Sequence, residues 1–425
     1  MTAGTTMDAF DYRNDQLCCE EVPLARIAAD VGTPTYVYSL RALRTAYRAY
    51  DQALAPVPHV VCYSVKANGT LAVLRAFARE GSGFDIVSGG ELFLARRAGA
   101  DPQRIVFSGV GKTRDEMAQA LAAGILMFNV ESPAELETLE QVAAAAGRRA
   151  PVSLRVNPDV DPQTHPYIST GMKKSKFGID IDAALAIYER AARLPHLEVV
   201  GVDCHIGSQL TSVTPFADAL ARVRELVVRL RERGISLRYL DIGGGLGITY
   251  RDEQPPTAAE YCAALIAGTC GLDVTLLVEP GRSLVGNAGV LLTRVLYLKN
   301  GPAKSFVIVD AAMTGLIRPS VYGSYHEISP LARPRSGEAR VVDVVGPVCE
   351  STDFLAQDRT LPPLAADDLL AVMSAGAYGF AMASNYNARP RAAGVLVDGD
   401  RYAVIRERES IEDLVRGESL PAWLG

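Results

Sequence analysis

From His59 onward, short runs of β-branched and other apolar residues alternate with longer stretches whose apolar positions recur every three or four residues. The first pattern predicts buried strands and the second amphipathic helices. The runs are His59 to Val65, Phe84 to Val87, Arg104 to Phe107, Ile125 to Val130, Val152 to Val156, Val199 to His205, Tyr239 to Ile242 and Thr275 to Val278. Four of the intervening stretches open with a hydroxyl residue followed three positions later by glutamate: Ser88/Glu91, Thr113/Glu116, Ser132/Glu135 and Thr257/Glu260. This is the signature of a capping box, in which the two side chains satisfy each other's backbone N–H groups. Pro133 stands at the favoured first helical position. Within the helix that follows the first run, Leu71, Leu74, Phe77 and Ala78 are predicted to share one face. Eight strand–helix alternations over about 220 residues fit a closed (β/α)8 TIM-type barrel better than an open doubly wound sheet.

The rhythm changes after Ser283. Predicted strands then dominate: Gly289 to Lys299, Lys304 to Asp310, Arg340 to Cys349, Leu369 to Ser374, and a hairpin from Val395 to Arg406 around Asp398-Gly399. Ahead of the barrel, Pro34 to Tyr38 reads as a strand, and a helical pattern from Leu40 to about Ala53 is stopped by Pro56 and Pro58. The expected organisation is an N-terminal segment, 1–40, packed with a mainly β domain, 286–425, and a barrel over 41–285.

With 425 residues and 48% apolar content, the chain can bury two cores. A net charge of −6 without a basic block argues against nucleic acid or an anionic membrane as the main partner. The first 15 residues lack the charge and apolar core of a signal peptide, and no run approaches membrane length, so a cytoplasmic location is expected. Seven cysteines, an odd number without even spacing, fit a reducing compartment. No Cys/His cluster has zinc spacing, and no metal is expected.

In a TIM-type barrel, chemistry gathers at the C-terminal ends of the strands. Lys66, one of only seven lysines, directly follows the first run. It either reaches out to water or, partly desolvated, serves as a Schiff-base amine. His205 ends the sixth run and Ser208 follows it; His205 is either a structural histidine or a flat ring against a cofactor, with Ser208 reaching toward phosphate. Gly243, Gly244 and Gly245 follow the seventh, as a tight turn or as a nest of N–H groups for phosphate. That stretch is neither a Walker loop nor a dinucleotide fingerprint. Glu279, Gly281 and Arg282 follow the eighth. They form a structural ion pair, or Glu279 holds a pyridine nitrogen protonated and Arg282 grips a substrate carboxylate. Taken together, the set suits pyridoxal 5'-phosphate (PLP).

Seven stretches in order, Tyr63 to Asn68, Val87 to Leu92, His205 to Gln209, Gly243 to Gly247, Glu279 to Ser283, Gly346 to Ser351 and Gly376 to Gly379, resemble the motif series of the fold-type III PLP-dependent decarboxylases, and among them the diaminopimelate decarboxylases. The resemblance covers nearly the whole chain. It implies decarboxylation of meso-diaminopimelate to L-lysine by a homodimer with shared active sites. Lys66 would carry the cofactor, and His205, Ser208, Gly243 to Gly245, Glu279, Gly281, Arg282 and Tyr378 would contact it. Cys349, from the other subunit, would donate a proton. Glu350 would recognise the reacting D-configured centre, with Arg282, Arg318, Tyr322 and Tyr378 completing the substrate pocket. Asn157 to Gly178 resembles the family's loop over the site. The alternatives are an enzyme for another basic amino acid, or a non-catalytic PLP carrier. The Glu350 and arginine set argues against a plain diamine-forming enzyme, because a distal ammonium alone gains nothing from it.

Overall fold

The computed structural model describes residues 9–160, 176–333 and 336–424. The chain divides into two compact units, Leu43–Val285 and a second made of Met1–Ala42 with Gly286–Gly425.

The first unit is a closed parallel barrel. Its strands, numbered here β1 to β8, are His59–Ser64, Gly83–Ile86, Ile105–Phe107, Met127–Val130, Ala150–Asn157, Leu197–Asp203, Tyr239–Asp241 and Thr275–Val278. Each pairs in parallel with the next, and β8 closes onto β1 with Leu276 opposite His59 and Val278 opposite Val61. Apolar side chains of Val60, Cys62, Val106, Met127, Val200 and Leu277 form one buried cluster. Such a filled interior leaves the strand ends as the place for polar groups.

Three sequence expectations are corrected here. The last strand is followed only by the short helix Arg282–Val285. Leu40–Leu54, from before the barrel, instead lies against the helix Ala258–Thr269, through an edge contact of Tyr50 with Tyr261 at 6.1 Å. The helix Leu71–Arg79 buries Val73, Leu74, Ala76 and Phe77, so its buried face is centred near Val73 and Phe77, which leaves Leu71 exposed and Ala78 at the margin. The capping box is reciprocal at Thr113 and Thr257 only. At Ser88 and Ser132 the hydroxyl caps as expected, but Glu91 and Glu135 reach one residue further back, to the N–H groups of Val87 and Glu131. Glu135 is drawn there by Lys112, whose buried ammonium donates to it at 2.7 Å.

The second unit is mainly sheet. The strand Gly289–Asn300 pairs with Thr35–Ser39, Leu369–Val372 and Ser305–Val309 at successive stations along its length. From there the sheet extends through Arg340–Val345 to Phe354–Leu361 on one side, and through Ala393–Asp398 to the hairpin partner Arg401–Arg406 on the other. Tyr36, Leu291, Val309, Val344, Leu355 and Val372 are in its core. A small sheet of Phe10–Arg13, Gln16–Cys19 and Val22–Pro23, followed by the helix Leu24–Val31, belongs to the same unit. Glu20 ties it down: its buried carboxylate accepts from Ser39 Oγ at 2.7 Å, from the Arg41 N–H at 3.0 Å and from the Gly399 N–H at 2.7 Å.

Candidate active site

The barrel mouth is built from strand ends. Lys66 sits in a single 3-10 turn after β1, and its Nζ donates to Asp85 Oδ2 at 2.8 Å. Ser64, the last residue of β1, donates to the same oxygen at 2.6 Å, while Asp85 itself is fully buried on β2. Burial alone would raise the Asp85 carboxyl; the Lys66 ammonium and His205 outweigh it and hold the group below the usual range. The Lys66 side chain remains 40% exposed, so its nitrogen is reachable from the mouth.

Across the barrel, β6, β7 and β8 bring three buried carboxylates together: Asp203, Asp241 and Glu279. Asp203 lies in register with Asp241 on one side and with Arg155 of β5 on the other. His205 stands among them. Its Nε2 makes a short hydrogen bond with Glu279 Oε2, and its Nδ1 lies 3.0 Å from Asp203 Oδ1. Ligand-type atoms of Asp203, His205 and Glu279 fall within 4.8 Å of one another, and the imidazole's own contacts with the two carboxylates account for the grouping. Burial, and then the charge of Asp85, raise the Glu279 carboxyl, with His205 opposing. Asp241 is pushed well up, by burial and then by Glu279 and Asp203. Glu91, largely sequestered near Lys66, is raised to about 7 by burial, against the opposing hydrogen bond from Val87 N–H.

Between β7 and its helix, Gly243 and Gly245 adopt φ of +67° and +122°. A Cβ on Gly243 would meet His205 Cδ2 at 2.3 Å, and one on Gly244 would meet the Glu279 carbonyl oxygen at 2.3 Å. The Gly243 N–H is taken by Asp241 Oδ1 at 2.9 Å; those of Gly244 and Gly245 are spent on no hydrogen bond among the described residues. Arg282 is buried, with Nη1 donating to the Tyr250 hydroxyl at 2.6 Å and Nη2 to Ser208 Oγ at 3.1 Å. Gly281 is packed on Ser64 and Ala67, a Cβ there falling 3.0 Å from Ser64 Cβ.

The remaining predicted residues form a cluster of their own in the sheet unit. Cys349 and Glu350 are exposed on the loop after Arg340–Val345, and the Cys349 N–H donates to Asn387 Oδ1 at 2.8 Å. Asp353 shapes that loop by accepting from the N–H groups of Met313 and Val348, each at 2.6 Å. Arg318 and Tyr322 lie on one short helix, the guanidinium carbon 5.9 Å from the Tyr322 ring centroid. Ser320 of that helix donates to the Thr352 carbonyl at 2.6 Å, which joins it to the Cys349 loop. Tyr378 has φ of +56° and is half-buried. Of the predicted loop Asn157 to Gly178, residues 161–175 lie outside the described residues.

A family model described as "Pyridoxal-dependent decarboxylase, pyridoxal binding domain" matches residues 40–286. A diaminopimelate decarboxylase of Pseudomonas aeruginosa is 60% identical over 97% of this chain and 99% of its own length. This chain belongs to the diaminopimelate decarboxylase family of pyridoxal-dependent decarboxylases. Among solved structures, the diaminopimelate decarboxylase of M. jannaschii in co-complex with L-lysine superposes with a TM-score of 0.94, at 38% identity over 98% of this chain and 99% of that one. The Helicobacter pylori enzyme complexed with L-lysine gives 0.90, at 42% identity over 92% and 98%.

For a diaminopimelate decarboxylase the test is whether this barrel mouth accepts PLP, and the residues present fit. Glu279 Oε1 is buried and accepts no hydrogen bond from the described residues, so it is open to a protonated ring nitrogen. The Gly243 to Gly245 cradle admits no side chain and presents two N–H groups to an anion. Lys66 offers a reachable amine. Asp85, Asp203, Asp241, Arg155 and Tyr250 were not anticipated from sequence. For the four charged residues the signal was a charge inside, or at the last position of, an otherwise apolar strand, which burial makes expensive unless it is used; Tyr250 lies outside the strands and carried no such signal.

One prediction follows from the cradle. Gly244→Ala sets a Cβ against the backbone of Glu279, so either Glu279 or the glycine turn must move. We expect a loss of stability of about 1–3 kcal/mol and at least tenfold weaker cofactor binding, measured by thermal denaturation and by titration of the apoprotein with PLP. Gly111→Ala, where the new Cβ meets open space, should change neither.

Proposed function

We propose that this chain removes one α-carboxylate of meso-diaminopimelate as CO2 and returns L-lysine, the last step of lysine biosynthesis. The observation that carries this reading is the convergence of Lys66, the glycine cradle and the open oxygen of Glu279 at one barrel mouth, in a chain 60% identical to a diaminopimelate decarboxylase. When bound, PLP supplies an electron sink for the pair left on Cα as the carboxylate departs.

The chain's own residues do the rest. Lys66 would hold the cofactor through Nζ, and the buried Asp85 carboxylate orients that nitrogen through their 2.8 Å hydrogen bond. Gly243 to Gly245 and Ser208 would hold the phosphate, and Gly281 packs its backbone on Ser64. Glu279, through Oε1, would accept from a protonated ring nitrogen and keep the proton there. Arg282, Arg318 and Tyr322 bind the distal carboxylate, supplying remote binding energy that selects diaminopimelate. Glu350 recognises the D-configured centre, and Tyr378 lines the pocket. Cys349 delivers the proton that finishes the reaction at Cα; its exposed thiol supports this role, since a buried thiol could not reach substrate.

We assign Cys349, Glu350, Arg318, Tyr322 and Tyr378 to the neighbouring copy in a homodimer, so that residues 41–285 of one subunit and 286–425 of the other make one site. A cytoplasmic location is supported by seven cysteines that are all free. No helix among the described residues is long and apolar enough to cross a membrane.

The deciding experiment is CO2 release measured in parallel with meso-diaminopimelate, L-lysine, ornithine and arginine. Diaminopimelate should be turned over with stoichiometric L-lysine. Preference for ornithine would overturn the substrate assignment.

A further inference from the structure

Asp203 is a buried carboxylate with an unusual setting: neither of its oxygens accepts a hydrogen bond from the described residues. An ionised carboxylate left so is costly unless a cation stands beside it. The group at 3.0 Å is His205 Nδ1, in charge contact rather than in hydrogen-bond alignment. Strand periodicity explains the approach, since residues 203 and 205 leave the end of β6 toward the same side. On its other nitrogen, His205 bonds to Glu279 Oε2. A neutral imidazole has one N–H and one lone pair, and a lone pair directed at a carboxylate is repelled; only the imidazolium suits both neighbours at once. The ring packs against the Gly243 backbone, where even a Cβ would fall 2.3 Å from its Cδ2.

The other charges facing His205 come from three more strands. Asp241 on β7 and Asp85 on β2 add to the negative side, and Arg155 on β5 opposes them. Burial would lower the histidine, but Asp203 and then Glu279 reverse the sign and carry it up to about 10 despite Arg155.

We propose that Asp203 is a positioning residue of the reaction: it keeps His205 an imidazolium ion, and that ion, by occupying Oε2, holds Glu279 as a carboxylate with Oε1 turned to the ring nitrogen. The inference rests on the role given above to Glu279. It separates His205 from a passive flat ring, and it makes a residue outside the family motifs responsible for the protonation state of the site.

The chain has only five histidines, so imidazole nitrogen resonances of the 15N-histidine-labelled holoenzyme can be followed with pH, the His205 signal being identified by its absence in His205→Gln. In the wild type, His205 should carry both protons from pH 6 to beyond pH 8.5. In Asp203→Asn its proton affinity should fall about tenfold or more, the size expected when a neighbouring opposite charge is removed. The alkaline limb of kcat/KM should move to lower pH by the same factor. Cofactor affinity should fall, and Asp203→Glu should restore part of each effect.

The sign for stability is fixed too. A folded-state value raised above the ordinary 6.5 contributes stability that is full below that pH and is lost as pH rises toward 10. Wild-type Tm should therefore decline more steeply across pH 7 to 10 than that of Asp203→Asn. A neutral His205 in the wild-type holoenzyme at pH 8 would overturn the proposal, even if Asp203→Asn failed to fold. So would an Asp203→Asn enzyme that loses stability but keeps the wild-type His205 titration and pH profile. Because the resonances report charge without turnover, a failed substrate assignment would leave this reading intact, and the converse holds.

Discussion

Lys66→Ala is expected to lower decarboxylation by about three orders of magnitude or more, since it removes both the covalent tether and the high effective concentration that the tether gives. The wild-type protein should be yellow, and borohydride should fix the cofactor to the peptide containing Lys66; the variant should show neither. Two effects are mixed in this substitution, because the lysine also neutralises the buried Asp85. Lys66→Arg separates them: it retains the cation beside Asp85 but cannot form the imine. If the chemistry depends on the amine, Lys66→Arg should be as inactive as Lys66→Ala while melting closer to the wild type. An active Lys66→Arg enzyme would remove Lys66 from its role.

Glu279→Gln should keep the yellow colour and the attachment to Lys66, yet reduce kcat by about 10²- to 10³-fold, the range found when one positioned electrostatic partner is lost. An uncharged amide cannot keep the ring nitrogen protonated, so the electron sink weakens although the cofactor stays in place. The loss should appear in kcat more than in KM, because Glu279 acts on the ring and not on the distal end of the substrate. The substitution is nearly isosteric and leaves Asp203 beside His205, so the fold should survive it. Wild-type turnover in Glu279→Gln would break the assignment.

The barrel was legible because each strand is a short apolar run and the helix starts carry local hydroxyl–glutamate signals. Boundaries fell close: Thr275 to Val278 is the observed strand, and His59 to Val65 differs from it by one residue. The missing eighth helix was not legible, because the substitution of Leu40–Leu54 is a matter of tertiary packing through Tyr50 and Tyr261, which no local pattern records. Phe354–Leu361 was missed as a strand: its central Gln357-Asp358-Arg359 is polar and carries a bulge with Asp358 at φ +48°, which breaks the alternation. At the site, Lys66, His205, Glu279 and the glycines were readable as polar or flexible residues terminating apolar runs. Asp203 and Asp85 were not, because a single carboxylate within a run carries no sign of whether its partner is water or a buried cation. That distinction exists only once β1 lies beside β2 and β5 to β8 are side by side.

The hydrogen bonds around Asp353 have a consequence for altering this enzyme. Asp353 braces the Cys349 loop against Met313, and Ser320 ties that loop to the helix bearing Arg318 and Tyr322. Arg318, Tyr322 and Glu350, assigned to substrate choice, are thus mounted on one frame, while Lys66, Glu279 and the glycine cradle, assigned to the cofactor, are fastened to the barrel strands. A library varying Arg318, Tyr322 and Glu350 but sparing Asp353 and Ser320 would leave the barrel-borne cofactor residues in their native setting, so that new selectivities could be screened among proteins that still load PLP.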